Sequence, residues 1–283
     1  MHWCVDKREN TQCICSVQNM KSEFPASVSP KESENSSLAT VASLERDLVL
    51  LGLKSGDTVF VHSSFKSLGP VDDGAGTVVR ALELAIAPDG LLLMPSFNLV
   101  EKVRRPATWN VATTPASTGW ISEYFRTLPG TVRSDHYSHS VAARGVRAAE
   151  WVCDSGPDTG MKSPWDLAPW MLTFGRRSPL FRCYERGAKV LMLGVGYDHA
   201  TFIHLLEVMD WNRRLQTDEG AEFLWIDRVA AGVAWEKFGL FASGRVGRAF
   251  CRLFDLSVFI DTMLFHLKSD RSLFKTWPKH SDA

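Results

Sequence analysis

"GDTVFVHSSFKSLGPVDDGAGTVVRALELAIAPDGLLLMPSF", residues 56–97, is the stretch that decides the fold. Its opening, "GDTVFVHSSF", is an apolar run that breaks into small polar residues, as a buried strand does at its end. "GAGTVVRALELAIAPDG" follows with a glycine-rich entry, Thr77 as the expected N-cap, an apolar helix face and Pro-Asp-Gly as the stop. "LLLMPSF" is a second buried strand ending at Pro95. Strand, helix and strand in that order predict parallel pairing through a right-handed crossover.

Upstream, "LATVASLERDLVLLGL" carries a helical stripe of Val41, Leu44, Leu48 and Leu51, with Gly52 to end it. Downstream, residues 98–116 form a long connection, "TGWISEYFRTL" a helix, and "AKVLMLGVGYD" a third strand that again breaks into glycine and polar residues. "ATFIHLLEVMDW" continues as a helix, and the later elements read as mostly helical through "GRVGRAFCRLF" and "FDLSVFIDTMLFHL". The expected fold class is α/β, a mixed sheet with flanking helices, whose strand ends release polar loops where such sheets build their sites.

The chain has 283 residues, 45% hydrophobic and 23% charged, enough to bury a core without a metal or disulfide staple. Residues 1–36 are rich in Ser, Pro, Glu and Lys and are expected to be a disordered tail, with one domain over 37–270 and a C-terminal tail over 271–283. The formal net charge of +0, from 32 basic and 32 acidic residues, gives no electrostatic argument for nucleic acid or an anionic membrane. No apolar run reaches the roughly 18 residues that a membrane span needs. Cys4, Cys13, Cys15, Cys153, Cys183 and Cys251 are scattered behind a polar N-terminal stretch and read as reduced thiols of a cytoplasmic protein. Cys4, Cys13 and Cys15 with His2 fit no standard zinc spacing, so no metal is expected.

Three stretches hold chemistry-bearing residues. "HSSFKSLG", His62 to Gly69, lies between a strand and a glycine-rich helix entry, where backbone N–H groups and hydroxyls converge on an anion such as phosphate, or form a serine-capped turn. It is not a Walker loop, and the chain has no Gly-x-Gly-x-x-Gly. "RSDHYSHSVAARG", residues 133–145, offers His136 and His139 as proton acceptors, flanked by Ser138 and Ser140. In "GVGYDHATFIHLLE", Asp198, Thr201, His204 and Glu207 recur every three residues, which a helix gathers near one face. Phe202, Leu205, Leu206 and Val208 make the rest of that helix apolar, so Glu207 is expected to be buried with a histidine as partner.

In this order the stretches resemble the aminoglycoside 3-N-acetyltransferase family, also called the antibiotic N-acetyltransferase family. Residues 56–97 are similar to its N-terminal signature, "RSDHYSHSVAARG" to its Arg-Ser-x-His-Pro-Thr-His-Ser-Val-Ala segment, and "LGVGYDHATFIHLLE" to its Leu-Gly-Val-Gly-x-Asp-x-Asn-Thr-x-x-His-Leu-Ala-Glu segment. "SPWDL" and "GRVGRAFCRLF" fall in the expected order, so the resemblance covers about residues 41–268. It implies the antibiotic N-acetyltransferase fold, distinct from GNAT, and transfer of an acetyl group from acetyl-coenzyme A to an amine, an aminoglycoside first among the acceptors, by a monomer or homodimer. It assigns His62, Ser63, Ser64, Phe65, Lys66, Ser67 and Ser140 to the coenzyme. His139 and Glu207 become the catalytic group, with His204 and Asp198 beside them, and Tyr137, Ser138 and Asp210 face the acceptor.

The chemistry fits those roles. An imidazole such as His139 takes the proton of the attacking amine, and Glu207 orients it and stabilises the imidazolium. Backbone N–H groups near Ser140 or the Ser63 loop would hold the thioester oxyanion. Tyr137 and Ser138 replace the family's Pro and Thr, Ala200 replaces Asn, and only about forty residues separate Glu207 from "GRVGRAF", a region that normally helps to build the acceptor site. Asp210, Asp218, Glu219 and Glu222 remain as carboxylates for a polycation. Two alternatives stay open at this point: an acyl-coenzyme A-dependent enzyme acting on another amine, and a non-catalytic homologue.

Overall fold

The computed structural model describes residues 38–99, 104–152 and 159–275. The expected tail over 1–36, the end of the chain from 276, and Cys4, Cys13, Cys15 and Cys153 lie outside these residues.

The first half of the described chain contains helix α1 (Val41–Leu51), strand β1 (Thr58–Ser63), helix α2 (Ala75–Ile86), strand β2 (Leu91–Pro95), helices α3 (Arg105–Thr108) and α4 (Trp120–Thr127), and strands β3 (Val132–Arg133) and β4 (Val141–Gly145). Helix α5 (Ala148–Val152), strands β5 (Gly160–Met161) and β6 (Phe174–Gly175), helix α6 (Pro179–Glu185), strand β7 (Lys189–Leu193) and helix α7 (Ile203–Leu215) follow. Strand β8 (Trp225–Ile226), helix α8 (Arg228–Glu236), strands β9 (Ala242–Val246) and β10 (Ala249–Asp255), helix α9 (Leu256–Ser269) and strand β11 (Phe274–Lys275) complete it.

Seven strands form one sheet in the order β3-β4-β2-β1-β7-β10-β9. β1 lies between β2 and β7 and is parallel to both, whereas β4 and β10 pair antiparallel at either side. The expected parallel β1–α2–β2 unit is therefore present. Alternation along the central strands divides the core into two layers. Val59, Val61, Leu92, Met94, Leu191 and Leu193 face α1, α2 and α4 through Leu44, Leu48, Val78, Leu82 and Phe125. Phe60, Leu93, Val190 and Met192 face α6–α9 through Leu205, Val208, Trp235, Phe259 and Met263.

Three local expectations change. Thr77 is not the cap of α2: Gly74 holds that position, and Thr77 is buried within the helix. "GRVGRAFCRLF" is not helical but a hairpin of β9 and β10, turning at Gly247 with φ +55°. Ala249, Cys251 and Leu253 are buried along it while Phe250 is exposed, which is strand alternation. Finally, residues expected in the C-terminal tail include β11, which pairs with β8, so ordered chain continues past 270. Among the described residues no helix is long and apolar enough to cross a membrane.

Candidate active site

β1, β2 and β7 run parallel, so their carboxyl ends, Ser63, Pro95 and Leu193, share one edge of the sheet. From β1 the chain leaves toward α2 on one face, and from neighbouring β7 toward α7 on the other. Diverging connections from adjacent parallel strands open a crevice between them. A cleft of about 840 Å³ lies there, walled by Ser63, Ser64, Phe65 and Lys66 on one side and by Val195, Asp198, His199 and Thr201 on the other, with Trp120 and Arg228 also lining it.

The serine loop is tied to the sheet. Ser64 N donates to Leu193 O at 2.9 Å, and Ser67 Oγ donates to Ser64 O at 2.7 Å. Phe65 to Leu68 form a single 3₁₀ turn, and Phe65 packs edge-on to Trp120. Five of the expected coenzyme residues, His62, Ser63, Ser64, Phe65 and Lys66, line the cleft, whereas Ser67 braces the loop from behind. His62 also makes a structural contact. Its Nε2 accepts the Thr201 N–H at 3.1 Å and lies 2.8 Å from Thr201 Oγ1. Burial, reinforced by the charges of Arg228 and His199, pushes its pKa down to about 3. His62 is a neutral strut that holds the Thr201 turn.

α7 supplies the central pair. His204 Nδ1 lies 2.7 Å from Glu207 Oε2, and Glu207 Oε1 accepts the Ile226 N–H at 2.9 Å. Arg228 Nη2 lies 2.9 Å from His204 Nε2. A guanidinium only donates, so Nε2 is the bare nitrogen and Nδ1 carries the proton that Glu207 receives. This is the tautomer of an imidazole base backed by a carboxylate.

Both oxygens of Glu207 are thus occupied by His204 and Ile226, and the expected His139–Glu207 contact is replaced by His204–Glu207. His139 is a neighbour instead: its ring meets that of His204 edge-on at 5.4 Å, and its Nδ1 lies 2.8 Å from Ser138 Oγ. Burial, followed by the adjacent His204, His136, Arg105 and Arg228, holds its pKa well below the usual histidine range. His136 Nδ1 accepts the backbone N–H groups of Ser138 and His139 at 3.2 and 3.1 Å, and burial lowers its pKa to about 4. "RSDHYSHSVAARG" is therefore the edge of this site, with His139 against His204 and His136 behind His139.

Other expected residues are placed differently. Ser140 is fully buried, donates to Ser134 O at 2.7 Å and accepts Arg133 Nε at 3.2 Å, so it braces the β3–β4 connection away from the cleft lining. Ser138 is buried between His136 and His139 and orients them. Tyr137 stacks on His136 and donates to Trp165 O at 3.0 Å, forming a wall. Asp198 is exposed at the cleft, its carboxylate 3.2 Å from His199 Nε2, and lies in the turn before α7 instead of on the helix face. Asp210 is buried and pairs with Arg213 and Arg214 of its own helix at 2.5 and 2.8 Å, so its charge is already compensated. Among the described residues no group of three or more His, Cys, Asp or Glu side chains is arranged to hold a metal.

Four contributors had no signal in residue spacing. Trp165, within "SPWDL", packs edge-on to both His139 and His204, with ring centroids at 4.6 and 4.8 Å. Trp225 and Phe223 extend this aromatic wall. Arg228 follows the helix cap Asp227, a local start signal, but its reach to His204 is a tertiary contact.

The profile described as aminoglycoside 3-N-acetyltransferase matches residues 60–267, from β1 into α9. The chain belongs to this family. Aminoglycoside N(3)-acetyltransferase IV of a Salmonella species is 32% identical to it over 249 residues, covering 82% of this chain and 89% of the relative. The crystal structure of aminoglycoside acetyltransferase AAC(3)-IVa as apoenzyme superposes with a TM-score of 0.69 at 29% identity, covering 86% of this chain and 94% of that one. AAC-IIIb, solved as a binary complex with CoASH, shares the fold with a TM-score of 0.65 at 24% identity, over 86% of this chain and 100% of that one. The mixed α/β architecture is that of these aminoglycoside 3-N-acetyltransferases.

Proposed function

We propose that the protein is an acetyl-coenzyme A-dependent N-acetyltransferase whose acceptor is an aminoglycoside amine. The observation that carries this reading is the buried His204–Glu207 pair beside a cleft large enough for an extended anionic donor. Family membership supports the reaction class and the acceptor. The coenzyme complex on the same fold supports the donor.

In this reading the donor lies against Ser63, Ser64, Phe65 and Lys66, with the Lys66 charge available to its phosphates. The acceptor enters as a neutral amine from the aromatic side. Its nitrogen attacks the thioester carbonyl carbon, forming the C–N bond, and its proton passes to Nε2 of His204. Glu207 stabilises the resulting imidazolium. The C–S bond then breaks, and the departing sulfur takes that proton to leave as the thiol. His204 is the base in this account, and His139 with Trp165 shapes the space in front of it.

One observation favours a second acceptor class. Asp210 is neutralised by two arginines, and Trp165, Trp225 and Phe223 stand near His204. An apolar or aromatic amine would suit that wall. Free-thiol release by the purified protein with acetyl-coenzyme A separates the readings, using gentamicin, apramycin and a set of aryl amines. Turnover confined to the aryl amines would overturn the aminoglycoside acceptor, and no turnover with any amine would overturn the enzyme.

A further inference from the structure

Arg228 stands where the proposed reaction needs an open nitrogen. Its Nη2 lies 2.9 Å from Nε2 of His204, the only lone pair that the imidazole has left once Nδ1–H is committed to Glu207. A lone pair held by a guanidinium cannot receive the amine proton. The guanidinium must therefore leave before acetyl transfer.

The structure also contains the means of drawing it away. The other arm of Arg228, Nη1, donates to the backbone carbonyl of Asp198 at 3.1 Å, so both of these contacts are to neutral acceptors. Arg228 lines the same cleft as Ser63, Ser64 and Lys66. An ionised phosphate adds its own negative charge and a bidentate fit to the guanidinium, which a backbone carbonyl and a neutral imidazole nitrogen do not offer. The side chain starts at the first residue of α8 and is half-buried, so its long stem has room to turn without unfolding the helix. The nearby carboxylates are otherwise engaged: Glu207 lies on the far side of the imidazole, and that of Asp198 is against His199.

We propose that Arg228 is a cap on His204 that the anionic acyl donor releases. Seating the donor's phosphates pulls the guanidinium off Nε2 and frees the base, so acceptor chemistry begins only when the thioester is in place. This rests on the reading of His204 as the base. Arg228 acts through His204 and through the donor, and is a positioning residue.

The test uses the full chain labelled with ¹⁵N-histidine, the His204 ring signals being assigned by their loss in His204→Gln. Calorimetry first establishes the concentration of coenzyme A that saturates the protein. Saturation should move the Nε2 resonance of the wild-type protein toward that of a free, unprotonated ring nitrogen. In Arg228→Met it should start near that position and hardly move. In steady state, Arg228→Met should raise KM for acetyl-coenzyme A about tenfold, as loss of one charge-assisted contact does, with a smaller fall in kcat. Arg228→Lys should recover part of the KM. If Arg228→Met does not fold, Arg228→Gln serves the same measurements. A wild-type Nε2 signal that ignores saturating coenzyme A, or an equal shift in the Met or Gln variant, would overturn the cap. Full activity of His204→Gln overturns the base reading instead, and absence of coenzyme A binding by calorimetry overturns the donor reading; either removes the cap with it.

Discussion

His204 and Glu207 sit one helical turn apart on α7 and share a 2.7 Å hydrogen bond, and the second oxygen of Glu207 is fixed by Ile226 N–H at 2.9 Å. The carboxylate cannot rotate away from the imidazole without breaking a buried bond. The pair should therefore behave as one unit. His204→Gln should lower kcat by about 10²–10⁴-fold, the usual worth of a general base. Glu207→Gln should cost a comparable amount, because an amide cannot balance the imidazolium charge. The double variant should be little worse than the more damaged single, since groups acting together are not additive. Kinetics of the four proteins with one accepted amine check this, and multiplicative losses would count against the pair.

His139 offers the contrast. Its Nδ1 is engaged by Ser138, and burial keeps its pKa well below the usual range. His139→Asn should retain measurably more kcat than His204→Gln while raising the acceptor KM, because the ring forms part of the aromatic wall with Trp165. A His139→Asn enzyme as inactive as His204→Gln would return the base to His139.

The fold was legible wherever the signal was local. In residues 56–97, apolar runs and glycine breaks name two strands and a helix without knowledge of the rest of the chain. "GRVGRAFCRLF" misleads because Val246, Ala249, Phe250 and Leu253 fall at i, i+3, i+4 and i+7 and mimic a helical stripe. Only the hairpin pairing of Ala249 with Val246 separates the alternatives, and that is a strand contact. In the site, His204 and Glu207 were visible as an i, i+3 pair, whereas the partner of His139 was not, because Ser138 and Glu207 compete for the role and sequence does not rank them. The arginines that neutralise Asp210 stand at i+3 and i+4, so they too were readable as helix neighbours. Arg228 was not readable, since its contact depends on how α8 is set against α7.

Asp210 yields a stability prediction. Its buried carboxylate is paired with Arg213 and Arg214, and both of those pairs lie within α7. Asp210→Asn leaves two partly exposed guanidinium groups without this counter-charge and should destabilise the protein by about 1–3 kcal/mol, less than breaking a fully buried pair. Activity per folded molecule should hardly change. Urea unfolding monitored beside specific activity checks this. A large rise in acceptor KM with unchanged stability would restore Asp210 to the acceptor site.

Three buried histidines, His62, His136 and His139, set an acid limit. The pKa of His62 is lowered to about 3 and that of His136 to about 4, in both cases chiefly by burial, against about 6.5 in an unfolded chain. Between those values the unfolded state binds the protons, so stability rises with pH and is lost as pH falls below about 6.5. Each histidine should contribute about 1.4 kcal/mol per pH unit across that window. Unfolding free energies at pH 7.5, 6 and 5 should fall along this slope, and His136→Gln should flatten it. A slope that the substitution leaves unchanged would place the acid sensitivity in other groups.

Gly194 tests the link between the sheet and the donor loop. It follows β7 with φ +68°, and a Cβ there would collide with Ser67 Oγ and crowd Ser67 Cβ and Ala249 Cβ. Gly187 has nearly the same backbone, φ +69°, with nothing near its missing Cβ. Both Gly→Ala variants should lose about 1–2 kcal/mol from left-handed strain alone. Only Gly194→Ala should also displace Ser67, whose hydroxyl holds Ser64 O, and so disturb the loop that lines the cleft. Its coenzyme A dissociation constant should rise at least about tenfold, roughly one charge-assisted hydrogen bond, while that of Gly187→Ala stays near wild type. Adding Ser67→Gly to Gly194→Ala removes both Ser67 atoms from the collision and should recover part of the binding. Calorimetric titration of the folded proteins decides the matter: an unchanged constant in Gly194→Ala would detach the serine loop from the donor site.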